Sequence, residues 1–427
     1  MSAPTKVVIT GAGAVCAAGM DPGAILDAVC SGRSAIGPIG QWDTTGWPTR
    51  EAGEVADFNA RALVDDRKLH KLIRRTDLFG LYAAGRAIDG SGIVVHRDTL
   101  DAQGAATYSD RTGVYVGSGG GNYQNQYEYF PLLTAANGDL PTFGRELAST
   151  VNPMWLLRTL PNNVLGHIGI RHGLKGPNAC ITNHSVGGTL AVIEAAEALR
   201  NGEADRAVAV GHDAPIEPQM VLYYQRMGLI ASGALLPFDT RHDGSLFGEG
   251  AGALLLETEA SATSRGATVL GEILGGGYAC EAEGLVAIRD DGDGVARAIA
   301  LALEDARLQP ADVGMIVAHG NGTRQSDVSE AAAIRRIFGD ERQAPPVTGF
   351  KWAFGHLIAA AGIVDAVLAL AALTRNTVPG IATLGELDPA CAGLAASATP
   401  QAPRSNVALI ICCGFAGTDA ALLVRAA

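Results

Sequence analysis

Three short segments of the chain set reactive side chains in glycine-containing turns. Asn183-His184-Ser185-Val186-Gly187-Gly188 places a hydroxyl where an apolar run gives way to a small-residue helix. Free backbone N–H groups and the positive dipole end at such a helix start stabilise an oxyanion. Ser185 there reads as a nucleophile or as an ordinary N-cap, and on this segment alone the cap is the commoner use. Cys180 lies within the preceding apolar run and reads as an inert core thiol. Ala318-His319-Gly320-Asn321-Gly322-Thr323 and Lys351-Trp352-Ala353-Phe354-Gly355-His356 each put an imidazole beside a core element. The chain has only 9 histidines, so two in such turns point to acid–base or carbonyl-polarising work. Metal ligation is the alternative, but no third ligand stands at a recognisable spacing. The glycines of Thr10-Gly11-Ala12-Gly13-Ala14-Val15 resemble a dinucleotide loop, yet Cys16 stands where a third glycine belongs. They read as a tight turn after a strand.

These turns need rigid elements on either side. Short β-branched runs without polar alternation predict strands over Val7–Thr10, Thr112–Gly117, Ala207–Gly211, Gly252–Glu257, Met315–Ala318, Val347–Thr348 and Val407–Cys412. Helices are predicted over Asp21–Cys30, Asp77–Ile88, Gly187–Asn201, Gly294–Ala306, Val328–Phe338 and Ile358–Thr374. Their alternation argues a layered α/β fold. One echo stands out. Ala179–Leu199 and Val347–Leu370 each read strand, polar turn, then a helix without a polar stripe. Two buried units of one kind suggest a duplicated fold with a site between the halves.

Composition bounds the rest. The 427 residues carry 32 Lys and Arg against 44 Asp and Glu, a net charge of −12. Such a chain has no global attraction for nucleic acid or an anionic membrane. Seven scattered cysteines without a CxxC pair argue against a disulfide framework or a zinc site. The apolar stretch Leu357–Leu373, broken by Asp365, is too short for a membrane span and reads as a buried helix. No signal-peptide pattern opens the chain, so a reducing cytoplasm is expected.

Together the motifs resemble the elongating β-ketoacyl-acyl-carrier-protein synthases of the thiolase superfamily. The resemblance covers essentially the whole chain. It rests on VVITGAGAV at the start, LPFDTRHDGSLFGEGAGALLLE at 236–257, IVAHGNGTRQSDVSEAAAI at 316–334, FKWAFGHLIAAAG at 350–362 and CGFAGTDAALLV at 413–424. It implies two similar halves, 1–257 with the nucleophile turn and 258–427 with the two histidines, in five layers, α-β-α-β-α, and a dimer. A gap-free register from Gly176-Pro177 puts Ser185 at the family's cysteine nucleophile. By the same resemblance His319 and His356 match the catalytic pair, Lys351 the lysine, and Glu330 an acid behind it. Phe415 matches the gate phenylalanine, whose N–H joins that of Ser185 in an oxyanion hole. Thr323 matches a pantetheine-binding threonine. Departures cluster at the site: serine replaces cysteine, His184 replaces a small residue, Asn321 replaces a second pantetheine threonine, and Ala416 replaces a gate glycine.

Serine changes the demand on its neighbours. A thiol has a pKa of about 8.5 and ionises with modest help, whereas a serine hydroxyl needs a general base within about 3 Å. His356, His319 or His184 would supply it. The implied function is processing of carrier-protein or CoA thioesters in fatty-acid-like, specialised lipid or polyketide biosynthesis. It would run by acyl transfer through Ser185, decarboxylative condensation, or both, and needs no cofactor. The alternatives are a malonyl decarboxylase and a non-catalytic subunit like a chain-length factor, paired with a related ketosynthase in a heterodimer rather than a homodimer. Retention of both histidines, Lys351 and a hydroxyl at 185 favours an enzyme. Finally, Arg67–Arg75 holds five Lys or Arg in nine residues. It reads as a solvated helix face or as a dock for an acidic carrier protein through Lys68, Lys71 and Arg74.

Overall fold

In the computed structural model every strand expected from a β-branched run is present, most of them longer. Residues 5–56, 58–119 and 129–427 are described. The main sheet uses β1 (Val7–Cys16), β2 (Thr112–Ser118), β3 (Asn178–Ile181), β4 (Arg206–Asp213), β5 (Gly250–Thr258), β6 (Gly271–Cys280), β7 (Met315–Val317), β8 (Val347–Thr348), β9 (Val407–Gly414) and β10 (Thr418–Ala426). Their order is β8-β7-β9-β10-β6-β1-β5-β4-β2-β3.

That order is one pattern written twice. Within β1–β5 and within β6–β10 the strands lie third, second, fourth, fifth, first. The directions repeat as well. β3, β2 and β4 run parallel, as do β8, β7 and β9, while the remaining pairs in each set are antiparallel. The two sets join where Val7–Ile9 pairs with Gly271–Ile273.

β6 and β10 are absent from the strands expected above. β6 hides because Gly275, Gly276 and Gly277 look like a loop. Gly275 and Gly277 are small because the helix α4 (Asp293–Ala306) lies directly on the strand, and Gly276 because Ile193 packs against its other face. A Cβ on Gly275 would sit 2.5 Å from the Ala306 amide nitrogen, and one on Gly277 2.4 Å from the Ala298 carbonyl oxygen. The Gly11 and Gly13 pair answers to the same cause and makes no turn. Both lie within β1, where a Cβ would come within 2.0 Å of Ala87 O and 2.2 Å of Ala83 O on α1 (Arg75–Ser91).

Five layers result. α1 covers β1, β5 and β4; α2 (Gly187–Arg200) and α6 (Ala361–Thr374) lie between the two half-sheets; α4 and α5 (Arg324–Phe338) form the opposite face. Apart from Asp365, α6 is apolar all round, with Ala361–Leu370 entirely buried, as a helix clad on every side must be. Among the described residues no helix is long and apolar enough to cross a membrane.

The two central helices begin alike. A 3-10 turn, His184–Val186, leads into α2, and another, Ile358–Ala360, leads into α6. Each turn starts from a left-handed residue, His184 at φ 44° and Ile358 at φ 45°. The turns meet so closely that a Cβ on Gly188 would lie 2.5 Å from Ala359 O.

Candidate active site

The sharp turn after β3 holds Ser185 at the head of α2, buried to 1% exposure. The Cys412 thiol of β9 donates to the Ser185 carbonyl at 3.0 Å and pins the turn from below. His356 follows the short helix Lys351–Phe354, and its backbone is tied to the Leu246 carbonyl and to Gly248 N–H. His319 ends the segment after β7 and is fixed by Glu330 of α5, which accepts from the N–H groups of His319 (2.6 Å) and Gly320 (2.9 Å). The three predicted residues converge. Ser185 Oγ lies 3.1 Å from His356 Nε2, and the two imidazoles stand edge to face, 5.0 Å between centroids.

A second imidazole touches the hydroxyl. His184 Nδ1 lies 2.9 Å from Ser185 Oγ, while its Nε2 lies 2.6 Å from the Tyr224 hydroxyl. The His184 ring stacks on Phe415 with centroids 4.3 Å apart. Burial keeps all three imidazoles neutral. It pushes the His184 pKa down to about 4, and those of His319 and His356 well below the usual range with help from Lys351.

Two expected residues have partners that the sequence does not indicate. Glu330 does not pair with Lys351; burial pushes its pKa up to about 8, and it braces the His319 turn instead. The partner of Lys351 is Asp365 of α6, at 3.2 Å, both side chains fully buried. Burial works hardest against the ammonium, but Asp365 together with neighbouring acidic groups holds the Lys351 pKa above its ordinary value. The Phe415 N–H, assigned to an oxyanion hole, is directed at His184 Nδ1 at 3.4 Å.

Ser185, His319, His356, Asn321, Thr323 and Phe415 line one narrow cavity of about 70 Å³. Asn321 Oδ1 accepts from the Thr323 N–H and hydroxyl, so the two expected pantetheine contacts form one polar corner. Beyond the wall made by His184, Tyr224 and Phe415 lies a larger cavity of about 360 Å³. Among the described residues no group of three His, Cys, Asp or Glu is placed to hold a metal ion.

The basic stretch splits. Lys68 and Lys71 are exposed, but Arg74 is buried and lines the larger cavity, its Nε 3.6 Å from Asp77. Arg75 also turns inward, to a forked ion pair with Glu249. Counting charges in sequence misses this, because Arg74 and Arg75 sit where the buried helix α1 begins. Arg74 therefore is not part of a surface patch.

Sequence reasoning also passed over Tyr224, Asp365 as an ion partner, and Cys412. Asp365 had a signal, being the lone charge in an apolar helix. Tyr224, on α3 (Pro218–Arg226), had none.

Comparison with known proteins agrees with this geometry. Residues 5–262 match the Beta-ketoacyl synthase, N-terminal domain, and residues 270–384 the Beta-ketoacyl synthase, C-terminal domain. The chain is similar to 3-oxoacyl-(acyl-carrier-protein) synthase 2 of Synechocystis sp., at 31% identity over 98% of both chains. It is also similar to nodulation protein E of a Rhizobium species, at 32% identity over 98% of this chain and 99% of that one. Among solved structures, the ishigamide ketosynthase/chain length factor superposes with a TM-score of 0.89 at 27% identity, covering 100% of both chains. With both family models matched across most of its length and the Ser185 turn facing two histidines, the chain belongs to the β-ketoacyl synthase family of acyl-transferring enzymes.

Proposed function

We propose that the protein takes an acyl group from a carrier-protein or CoA thioester onto Ser185, and that the His319–His356 pair polarises the thioester carbonyl of a malonyl donor for decarboxylative attack. The observation that carries this reading is Ser185 Oγ held between two neutral imidazoles, at 2.9 and 3.1 Å, in one cavity with His319. A neutral imidazole donates to a developing enolate oxygen without first losing a proton. The repeated strand order supports a division into halves 1–257 and 258–427, each supplying part of the site. The setting is a cytoplasmic biosynthetic assembly, as a homodimer or paired with a related ketosynthase, with an acidic carrier protein docked near Lys68 and Lys71.

The test is to incubate the protein with acyl and malonyl thioesters of a carrier protein and to measure CO₂ and 3-oxoacyl product. Both should form, and Ser185→Ala should abolish product. CO₂ without product in the unaltered protein would make it a malonyl decarboxylase. Neither would make it a partner subunit. For docking, Lys68→Glu with Lys71→Glu should weaken carrier-protein loading several-fold, most at low salt, and leave loading from CoA thioesters within about twofold.

A further inference from the structure

Serine at the nucleophile position needs a base, and the hydrogen bonds around Ser185 decide which of its two imidazole neighbours is free to act. Ile358 N–H donates to His356 Nδ1 at 3.2 Å. In neutral His356 the proton therefore resides on Nε2, the atom 3.1 Å from Ser185 Oγ. His356 donates to the hydroxyl oxygen and has no lone pair left to take its proton. The opposite holds for His184. Its Nδ1 receives the Phe415 N–H at 3.4 Å and lies 2.9 Å from Ser185 Oγ. Its proton is then on Nε2, facing the Tyr224 hydroxyl at 2.6 Å. Among the described residues the hydroxyl proton of Ser185 has one acceptor, His184 Nδ1.

We propose that His184 is the general base that activates Ser185, with Tyr224 the positioning residue that fixes its tautomer. The inference rests on the acyl-serine reading above. Ser185 Oγ attacks the thioester carbonyl carbon while its proton passes to His184 Nδ1. The carbonyl π electrons move to oxygen. When that tetrahedral oxyanion collapses, the C–S bond breaks and the departing thiolate takes the proton back from His184. The products are acyl-O-Ser185 and a free thiol, and no other reactant is needed. Protonation of Nδ1 has a second effect. It removes the acceptor of the Phe415 N–H, which becomes free to donate to the oxyanion as that charge appears. One proton transfer thus activates the nucleophile and opens the hole that stabilises its product.

The setting of His184 supports a built role. The residue starts the turn in the left-handed region, at φ 44°, which histidine tolerates better than the β-branched Ile358 of the second turn. The ring stacks on Phe415, centroids 4.3 Å apart, and is held at its edge by the Tyr224 hydroxyl, 2.6 Å from Nε2. These two contacts hold Nδ1 beside the hydroxyl of the very next residue.

The test compares His184→Asn with His356→Ala, reading the rate of Ser185 acylation by intact mass and CO₂ release from a malonyl thioester in parallel. Asparagine tolerates the left-handed backbone, so His184→Asn retains the turn, which thermal unfolding confirms. His184→Asn should slow acylation by about 10²–10⁴-fold. Its residual rate should rise roughly tenfold per pH unit, since hydroxide must replace the base. His356→Ala should instead lose CO₂ release by the larger factor, so the two variants invert the ratio of acylation to decarboxylation. Tyr224→Phe should slow acylation about tenfold through the wrong tautomer. An adduct that forms as fast in His184→Asn as in the unaltered protein overturns the base assignment alone. No adduct on the unaltered protein overturns the acyl-serine reading, and this inference with it.

Discussion

The turn before α2 and the turn before α6 are the same piece of backbone used in two ways. Both are 3-10 turns entered through a left-handed residue, and both feed a 14-residue helix between the half-sheets. In the first turn the left-handed residue is His184 and the next is Ser185. In the second they are Ile358 and Ala359, so that turn has no side chain capable of transfer chemistry. The strand facing each turn differs in the same sense. β4 ends in Asp213, whose carboxylate accepts from Ala359 N–H at 3.4 Å. β9, its counterpart, ends in Gly414, where a Cβ would stand 3.5 Å from Ser185 N and 3.6 Å from His184 Nδ1. The second turn thus holds a resident carboxylate where the first leaves open space. Gly414 is not needed for its backbone, which is extended at φ −133° and open to any residue. It is needed for the space. The difference shows how a duplicated scaffold divides labour. One copy supplies the hydroxyl of Ser185, and the other sets His356 against it while Lys351 pairs with Asp365 behind.

The largest expected effect concerns what holds the second copy together. Asp365→Asn leaves the fully buried Lys351 ammonium uncompensated, and should cost about 3–5 kcal/mol in chemical denaturation. Replacing both, Lys351→Met with Asp365→Leu, should recover most of that stability while leaving catalysis impaired. If the single change costs little, the pair is not what ties His356's segment to α6.

Next in size is a change that copies the second turn into the first. Gly414→Asp sets a carboxylate against Ser185 N–H, with Thr418 Oγ1, 2.8 Å from the new Cβ, obliged to turn aside. Acylation should fall by about 10²–10³-fold, the value of a lost oxyanion site. The thermal midpoint should stay within a few degrees. Acylation at the original rate would mean that this helix end does not stabilise the oxyanion.

The smallest effect is expected from the reverse exchange. Ala359→Ser gives the second turn a hydroxyl but no imidazole partner. It should gain no acyl group and lose about 1–3 kcal/mol through a buried, unpaired hydroxyl. An adduct on that serine would show that the turn alone suffices, and that His184 is dispensable.

Much of this was legible in sequence, because the features in question are local. β-branched runs marked the central strands, and the echo of Ala179–Leu199 in Val347–Leu370 located both turns. What escaped depends on packing across the fold. The glycines of β6 and β1 resemble loops until the helices lying on them are known. Arg74 counts as surface charge until the start of α1 proves buried. Tyr224 is remote in sequence from the residues it touches, and nothing in its own segment marks it. The choice of base was open for a different reason. It depends on which nitrogen of His356 is already occupied, and only the Ile358 N–H answers that.

The most direct test of the account is where an acyl group comes to rest. The protein should be incubated with an acyl-CoA or an acyl carrier-protein thioester, quenched in acid and examined by intact mass, followed by peptide mapping. The account predicts one acyl equivalent per chain, on Ser185, absent in Ser185→Ala. Acyl groups mapping to Cys180 or Cys413, or no adduct from any donor, would contradict it.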